Sequence, residues 1–175
     1  SAAGLATPNT LLDIYDVQDD GTGEIRFKGD NIMLGYYNQP ELTAEVIRDG
    51  WFYTGDLGYL DAGGFLHITG RKKNVIVTSN GKNIFPEELE TYLCRTPFVA
   101  ESVVVGFINP KKKDYDIVAI IYPDKDRMVE VYGEKWTRDQ LDAELRRAVA
   151  EVNGIVQSYK RIECYVIRDT EFPKN

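Results

Sequence analysis

The sequence predicts an α+β fold in two parts, a β-rich first part and a small second part that mixes helices and strands. Residues 1–70 are rich in turn signals and in short strand-like runs, and helical periodicity is weak there. From about Arg71 the pattern changes, because amphipathic helical segments appear between the strand-like runs. A length of 175 residues suits one domain or two small ones.

The elements of the first part follow from alternation and turn residues. Asp19–Gly23 is typical of a turn, and Glu24–Lys28 alternates as a half-buried strand does. Pro40–Glu45 allows one short helical turn. The aromatic run that begins at Trp51 and the segment Phe65–Thr69 are strand-like. No core of its own is evident in this part.

The second part shows stronger signals. Asn80-Gly81 lies between two strand-like runs and predicts a hairpin, because both residues tolerate positive φ. Pro86 predicts the first position of a helix. Strands are expected near 101–108, 117–122 and 161–167, and the capping box that starts at Thr137 predicts a helix that ends at Asn153-Gly154.

Composition excludes several classes of protein. Asp and Glu number 28 against 21 Lys and Arg, and the net charge of −7 argues against a nucleic-acid partner. Two cysteines and one histidine are too few for a disulfide framework or a zinc site, so we expect no metal site and a reducing, cytoplasmic compartment. The longest apolar runs have six residues, so no transmembrane segment or secretory leader is expected.

Three segments contain candidate binding residues. Asp56 follows a Thr54-Gly55 turn at the expected end of an aromatic strand, where a carboxylate can accept both hydroxyls of a ribose or simply close the turn. Arg71, in a basic connector, suits phosphate or diol oxygens or a solvated turn. Gly81 lets a thin ligand pass close to the backbone or serves only the hairpin. These patterns alone specify no reaction.

Five segments follow one another in a characteristic order: Gly23–Ile25, Gly35–Thr43, Tyr53–Asp56, Gly70–Lys73 and Gly81–Glu90. Their order resembles that of the adenylate-forming superfamily, which includes acyl-CoA synthetases, the adenylation domains of nonribosomal peptide synthetases and firefly luciferase. Val77–Ile84 is most similar to the long-chain fatty acid–CoA ligases.

The resemblance implies a fold, a reaction and a set of site residues. Residues 1–72 correspond to the β-rich end of a large N-terminal domain, a piece of a distorted barrel, and residues 73–175 to a small α+β C-terminal lid. A carboxylate attacks the α-phosphate of ATP to give an acyl-adenylate, and CoA then displaces AMP. The implied nucleotide-binding residues are Thr54, Gly55, Asp56 and Arg71, the implied hinge is Lys73, and Gly81 and Lys82 line the pantetheine tunnel.

The resemblance also implies what lies elsewhere. The phosphate-binding loop, the fatty acid pocket and the acid that helps hold Mg²⁺ belong to the large domain, expected before residue 1. The catalytic lysine normally follows a terminal Pro-Lys motif, and Lys174 is not that lysine. We therefore expect no catalytic residue in this chain, no activity from the isolated chain, and use of ATP/AMP, CoA and Mg²⁺ by the full-length enzyme. Surface of residues 1–70 left uncovered could drive dimerisation.

Other functions stay open. Within the family, the acid could be an aryl or short-chain acid, or the product could be loaded onto a carrier protein. Outside catalysis, the chain could be a lid-like module that binds nucleotide or pantetheine, or a family member that has lost activity.

Overall fold

A computed structural model describes residues 2–173, so Lys174 lies outside the described residues. The chain forms two compact units, Ser1–Asn74 and Val75–Asn175. Strands and helices occur together, which confirms the α+β class. The sequence places the change of domain between residues 72 and 73, whereas the two units divide two residues later. Within residues 2–173, no helix is both long and apolar enough to cross a bilayer.

The first unit is a five-stranded antiparallel sheet with one short helix. Strand β4 is central, because it pairs with β2 on one side and with β3 and β5 on the other, while β1 pairs with β2. Among its described residues, the buried apolar side chains are Ile25 and Leu66 alone. The elements are β1 (Thr10–Tyr15), β2 (Gly23–Gly29), α1 (Pro40–Val46), β3 (Ile47–Arg48), β4 (Trp51–Leu60) and β5 (Leu66–Arg71).

The second unit contains a two-stranded hairpin, a three-stranded sheet and three helices. Strands β8 and β9 are antiparallel, and β10 extends the sheet parallel to β9. A 3₁₀ turn at Ser158–Lys160 precedes β10. The elements are β6 (Ile76–Val77), β7 (Asn83–Ile84), α2 (Pro86–Leu93), β8 (Val99–Asn109), β9 (Asp114–Pro123), α3 (Lys125–Tyr132), α4 (Arg138–Ile155) and β10 (Cys164–Ile167).

The helix ends show where the sequence signals hold and where they fail. The capping box of Thr137 and Gln140 is formed at the start of α4. The expected stop at Asn153-Gly154 is wrong, because the helix continues to Ile155. The Asn153 side chain instead bonds both backbone groups of Ile162, at 2.8 and 2.9 Å, and joins the helix to the segment before β10.

Helix α3 is absent from the sequence prediction. The residues that could have predicted this helix are the capping residues at its two ends. The Asp124 carboxylate accepts from the backbone N–H of Arg127 at 2.8 Å, and Gly133 ends the helix with a φ of +78°. The run between these caps is short and largely charged, so its helical periodicity is weak.

The apolar core of the second unit lies where α2 and α4 cover the sheet. Leu89 and Leu93 of α2 and Leu145 of α4 have no exposed surface. Side chains from β8 and β9 complete the cluster, including Val104 and Ile121. This core fixes the sheet and hence the hairpin that β6 and β7 form at its side.

We predict that Leu145→Ala lowers the free energy of unfolding by about 2–5 kcal/mol, because it removes buried apolar surface and leaves a cavity. Urea denaturation followed by circular dichroism at 222 nm measures this, since three of the four helices lie in this unit. The matched control is Ile155→Ala on the same helix, where the side chain is 67% exposed and the expected change is within about 0.5 kcal/mol. Equal losses in both variants would contradict this assignment of the core.

Candidate functional site

A β-bulge in β4 shapes the candidate nucleotide-binding segment. The pairing of β2 with β4 shifts between Glu24 and Arg26, where the segment 54–56 of β4 bulges out. Gly55 has a φ of +72°, in the left-handed region that favours glycine. A bulge bends the strand and redirects the neighbouring side chains. The segment that the sequence predicts as a turn is therefore an irregularity inside a long strand.

Asp56 and Arg71 form an ion pair across two strands. They are paired in the register of β4 and β5, and the distance from Arg71 Nε to Asp56 Oδ1 is 2.8 Å. The side chains are 25% and 62% exposed, respectively. Asp56 lies within β4, so the expectation that it stands at a strand end is wrong, because β4 continues to Leu60. Its carboxylate binds Arg71 and lies within reach of solvent.

Thr54 holds the backbone of the bulge. Its hydroxyl donates to the carbonyl oxygen of Ile25 at 2.8 Å and accepts from the backbone N–H of Asp56 at 3.0 Å. One side chain thus satisfies two backbone groups that the bulge removes from the regular ladder. Thr54 and Gly55 therefore determine the direction of the Asp56 carboxylate through the backbone.

Glu24 is a buried carboxylate beneath the bulge, and the sequence analysis assigns it no role. Its side chain is 7% exposed, and Oε2 pairs with the Lys72 ammonium at 2.8 Å. Oε1 accepts the backbone N–H of Gly55 at 3.3 Å, and the backbone N–H of Lys72 donates to the Gly55 carbonyl at 2.8 Å. These bonds tie the bulge to the end of β5. An acidic residue in a strand that is predicted to be half-buried is the signal that points to it.

The predicted hinge, Lys73, lies in an exposed turn between β5 and β6. The backbone N–H of Asn74 donates to the carbonyl of Arg71 at 3.0 Å across this turn. The Lys73 side chain is exposed, and the two compact units divide one residue further on, after Asn74. Because the Lys73 side chain is exposed, a change in the backbone torsions of Lys73 does not pull that side chain out of a packed core.

The hairpin at Asn80-Gly81 is formed, with a longer connection than the simple Asn-Gly turn. The backbone N–H of Thr78 donates to the Lys82 carbonyl at 2.9 Å, and three residues connect the two. Gly81 has a φ of +72° and donates to the Thr78 carbonyl at 2.9 Å, whereas Asn80 keeps an ordinary negative φ. Gly81 and Lys82 are exposed, and a Cβ on Gly81 would meet nothing within 4 Å.

Asp114, at the start of β9, holds this turn from the larger sheet. Its Oδ1 accepts the backbone N–H of Ser79 at 3.0 Å, and its Oδ2 accepts the Ser79 hydroxyl at 3.0 Å. Hydrogen bonds from the backbone of Ser79 and then of Tyr115 lower the pKa of Asp114 below its usual range. No local sequence signal predicts this contact, because the two residues are 35 positions apart.

The described residues do not fit a metal site. Between residues 2 and 173, no three His, Cys, Asp or Glu side chains are grouped so that they could hold an ion. The Mg²⁺ ion that the resemblance implies therefore has no ligand set among them.

Comparison with known proteins links this geometry to one family. The profile of the AMP-binding enzyme C-terminal domain matches residues 73–174. Long-chain-fatty-acid–CoA ligase FadD15 of Mycobacterium tuberculosis is 36% identical over 183 aligned positions, which cover 98% of this chain and 29% of that protein. Indoleacetate–CoA ligase of Aromatoleum aromaticum is 40% identical over 134 residues, which cover 74% of this chain and 26% of that ligase.

A solved structure is similar over almost the whole chain. The o-succinylbenzoate CoA synthetase MenE of Bacillus subtilis, in complex with the acyl-adenylate intermediate OSB-AMP, superposes with a TM-score of 0.73 at 28% identity. The match covers 99% of this chain and 33% of that chain. The chain therefore spans between a quarter and a third of the length of these three proteins.

We predict that Gly55→Ala destabilises the first unit by about 1–2 kcal/mol, because alanine is strained in the left-handed region. A Cβ at this position meets nothing within 4 Å, so steric overlap does not contribute. Gly154→Ala is the control, since its Cβ also meets open space but the residue lies inside α4, where alanine should stabilise by about 0.5–1 kcal/mol. Differential scanning calorimetry measures both changes, and a stabilising Gly55→Ala would contradict the positive φ.

Proposed function

The chain belongs to the family of AMP-binding enzyme C-terminal domains, and from this we propose that it forms the nucleotide-binding strands and the lid of an ATP-dependent acid–CoA ligase. The family membership confirms the resemblance that the sequence motifs carry. The indoleacetate and long-chain fatty acid relatives are CoA ligases, which supports a ligase as the parent activity. The chain covers only part of their length, so the activity of the whole protein is part of the proposal.

The proposed reaction has two steps. A carboxylate oxygen of the acid attacks the α-phosphorus of ATP, and pyrophosphate leaves, which gives an acyl-adenylate. The sulfur of CoA then attacks the acyl carbon, the bond to the AMP oxygen breaks, and the thiol proton is released. In this proposal the chain contributes contacts to the nucleotide and to CoA, and its second unit moves between the two steps. The phosphate loop, the acyl pocket and the catalytic lysine are supplied by other parts of the enzyme.

The observation that carries the proposal is the ion pair between Asp56 on the bulge and Arg71 at the end of β5. A carboxylate that is one-quarter exposed and fixed by its neighbours can accept two adjacent ribose hydroxyls, because each of its oxygens has two lone pairs. The guanidinium beside it supplies positive charge for a nucleotide. We assign the ribose to Asp56 and contact with the nucleotide to Arg71, with Thr54 and Gly55 shaping the bulge.

Two features support a lid function for the second unit. The exposed turn at Lys73 suits a hinge about which the unit turns between the two steps. The exposed turn at Gly81 and Lys82 suits a segment that meets the pantetheine arm of CoA in the second step, because Gly81 leaves open space beside its backbone. The domain assignment, 1–72 and 73–175, belongs to this proposal.

A long-chain fatty acid is the substrate that we propose first. Its support is the similarity to FadD15, which extends over 98% of the chain. An aryl acid is the alternative, supported by the higher identity of 40% to the indoleacetate ligase. An assay of the complete ligase against fatty and aryl acids separates the two.

Three expectations about the isolated chain stay predictions: that it is inactive, that it dimerises and that it is cytoplasmic. Acyl-CoA formation by the isolated chain would contradict the first of them.

We predict that Asp56→Ala in the complete ligase lowers kcat/KM for ATP by about 10- to 100-fold, because hydrogen bonds to a charged group contribute about 1.5–3 kcal/mol. Pyrophosphate exchange measures the effect. Asp13→Ala is a matched control, since Asp13 also pairs with an arginine of the neighbouring strand, Arg26, at 2.7 Å. An equal loss in both variants would show a structural effect and remove the ribose role of Asp56.

We predict that Lys73→Pro slows thioester formation more than adenylation, because proline restricts φ at the proposed hinge and limits the preceding residue as well. Single-turnover rates of the two steps, measured separately in the complete ligase, give the comparison. Lys73→Ala removes the charge but leaves the torsions free, so both steps should stay close to the parent rates. The hinge assignment fails if Lys73→Pro slows both steps equally.

A further inference from the structure

The turn that we place against pantetheine lies at the tip of a short hairpin, where hydrogen bonds join Thr78 to Gly81 and Lys82. Strands β6 and β7 have two residues each, and their buried residues, Ile76 and Ile84, lie at the base. Ser79, Asn80 and Gly81 at the tip are exposed. A two-stranded hairpin is at best marginally stable on its own in water, and here only its base is buried. A contact from another element therefore adds to the definition of the exposed tip.

We propose that Asp114 is a positioning residue for thioester formation, because it fixes the turn 79–81 in the shape that meets the pantetheine arm of CoA. This inference rests on the proposed function of the turn. Asp114 contacts no reacting atom in this assignment and takes part in no bond that forms or breaks. It acts through Ser79, two residues before Gly81.

The contact fixes both position and orientation. The two carboxylate oxygens of Asp114 accept from two different donors of Ser79, the backbone N–H and the side-chain hydroxyl. Two bonds to a planar carboxylate restrain rotation as well as distance, and bonds to a charged acceptor are the stronger class. Because the backbone N–H of Ser79 is one of the donors, the peptide plane that leads into the turn is restrained directly.

Asp114 is itself fixed to a rigid element. Its Oδ1 also accepts the backbone N–H of Tyr115 at 2.8 Å, and it is the first residue of β9. Strand β9 is the central strand of its sheet and pairs with β8 and β10. The turn is thus attached to the best-supported strand of the unit, and a group on a rigid element is positioned more accurately than one on a free loop.

Asp116 provides a matched control two residues away on the same strand. Its carboxylate accepts from the Asn109 amide at 2.7 Å and from the Lys112 ammonium at 2.8 Å. Asn109 is the last residue of β8 and Lys112 lies in the β8–β9 connection, and neither bond involves the turn 79–81. Asp116→Asn therefore removes a comparable charge from the same region and leaves the Ser79 contact intact.

The first experiment measures the two steps separately in the complete ligase. We expect Asp114→Asn to slow thioester formation from preformed adenylate by about tenfold, because a neutral amide with one acceptor oxygen replaces a charged carboxylate with two. Pyrophosphate exchange should stay within twofold of the parent rate, and Asp116→Asn should leave both steps unchanged. The double variant with Ser79→Ala should be no slower than the slower single variant, since both substitutions remove one contact. Equal loss in both steps, or an equal effect of Asp116→Asn, would overturn the inference.

A glycine pair separates this inference from the proposed function. Gly81→Ala adds bulk beside the turn and should slow thioester formation, whereas Gly133→Ala, with a similar positive φ and the same open space, should not. A loss with Gly81→Ala but none with Asp114→Asn overturns the role of Asp114 alone. If Gly81→Ala has no effect, the assignment of the turn to CoA fails as well.

The second experiment tests the contact itself in the 175-residue chain, without any assay of activity. Amide hydrogen exchange should become about tenfold faster at Gly81 and Lys82 in Asp114→Ala, because the turn loses its attachment to β9. The same amides should be unaffected by Asp116→Asn. Unchanged exchange in Asp114→Ala would show that the hairpin needs no such support and would overturn the proposal.

Discussion

The candidate nucleotide site depends on the interactions of one buried carboxylate, that of Glu24. A charge at 7% exposure is costly unless it is paired, and Glu24 is paired with the Lys72 ammonium and with the backbone N–H of Gly55. Its two oxygens thus hold the bulge and the end of β5 at fixed positions. The neighbouring residues, Asp56 and Arg71, face each other because these two backbone segments are held in place.

The second unit uses the same kind of contact for a different purpose. Its core is apolar and fixes the sheet, but the exposed tip of the β6–β7 hairpin has no apolar anchor. A carboxylate on the central strand, Asp114, supplies the contact through Ser79. In both units, a segment with a glycine at positive φ is thus fastened by an acidic side chain from a regular strand. Glycine tolerates the positive φ that each segment needs, and hydrogen bonds to the carboxylate stabilise that conformation.

The sequence predicts local features well and contacts between distant residues poorly. The capping box at Thr137 and the hairpin near Gly81 are confirmed, because their signals lie within a few residues. Helix α3 is missed, because charged residues hide its periodicity. Neither Glu24 nor Asp114 can be assigned a partner from the sequence, since each bonds a segment more than 30 positions away. Motif order indicates the site residues, but the packing that orients them appears only in the structure.

The hydrogen bonds that shape the two candidate groups each lie within one unit. The bulge is held by bonds between residues up to Lys72, and the turn near Gly81 by bonds between residues from Thr78 onward. A torsional change at Lys73 breaks the hydrogen bond from the Asn74 N–H to the Arg71 carbonyl, but it leaves the bonds of the bulge and those of the turn intact. The groups that we propose for nucleotide and for pantetheine are therefore each complete within one unit, and the proposed movement at Lys73 requires no rearrangement of either group.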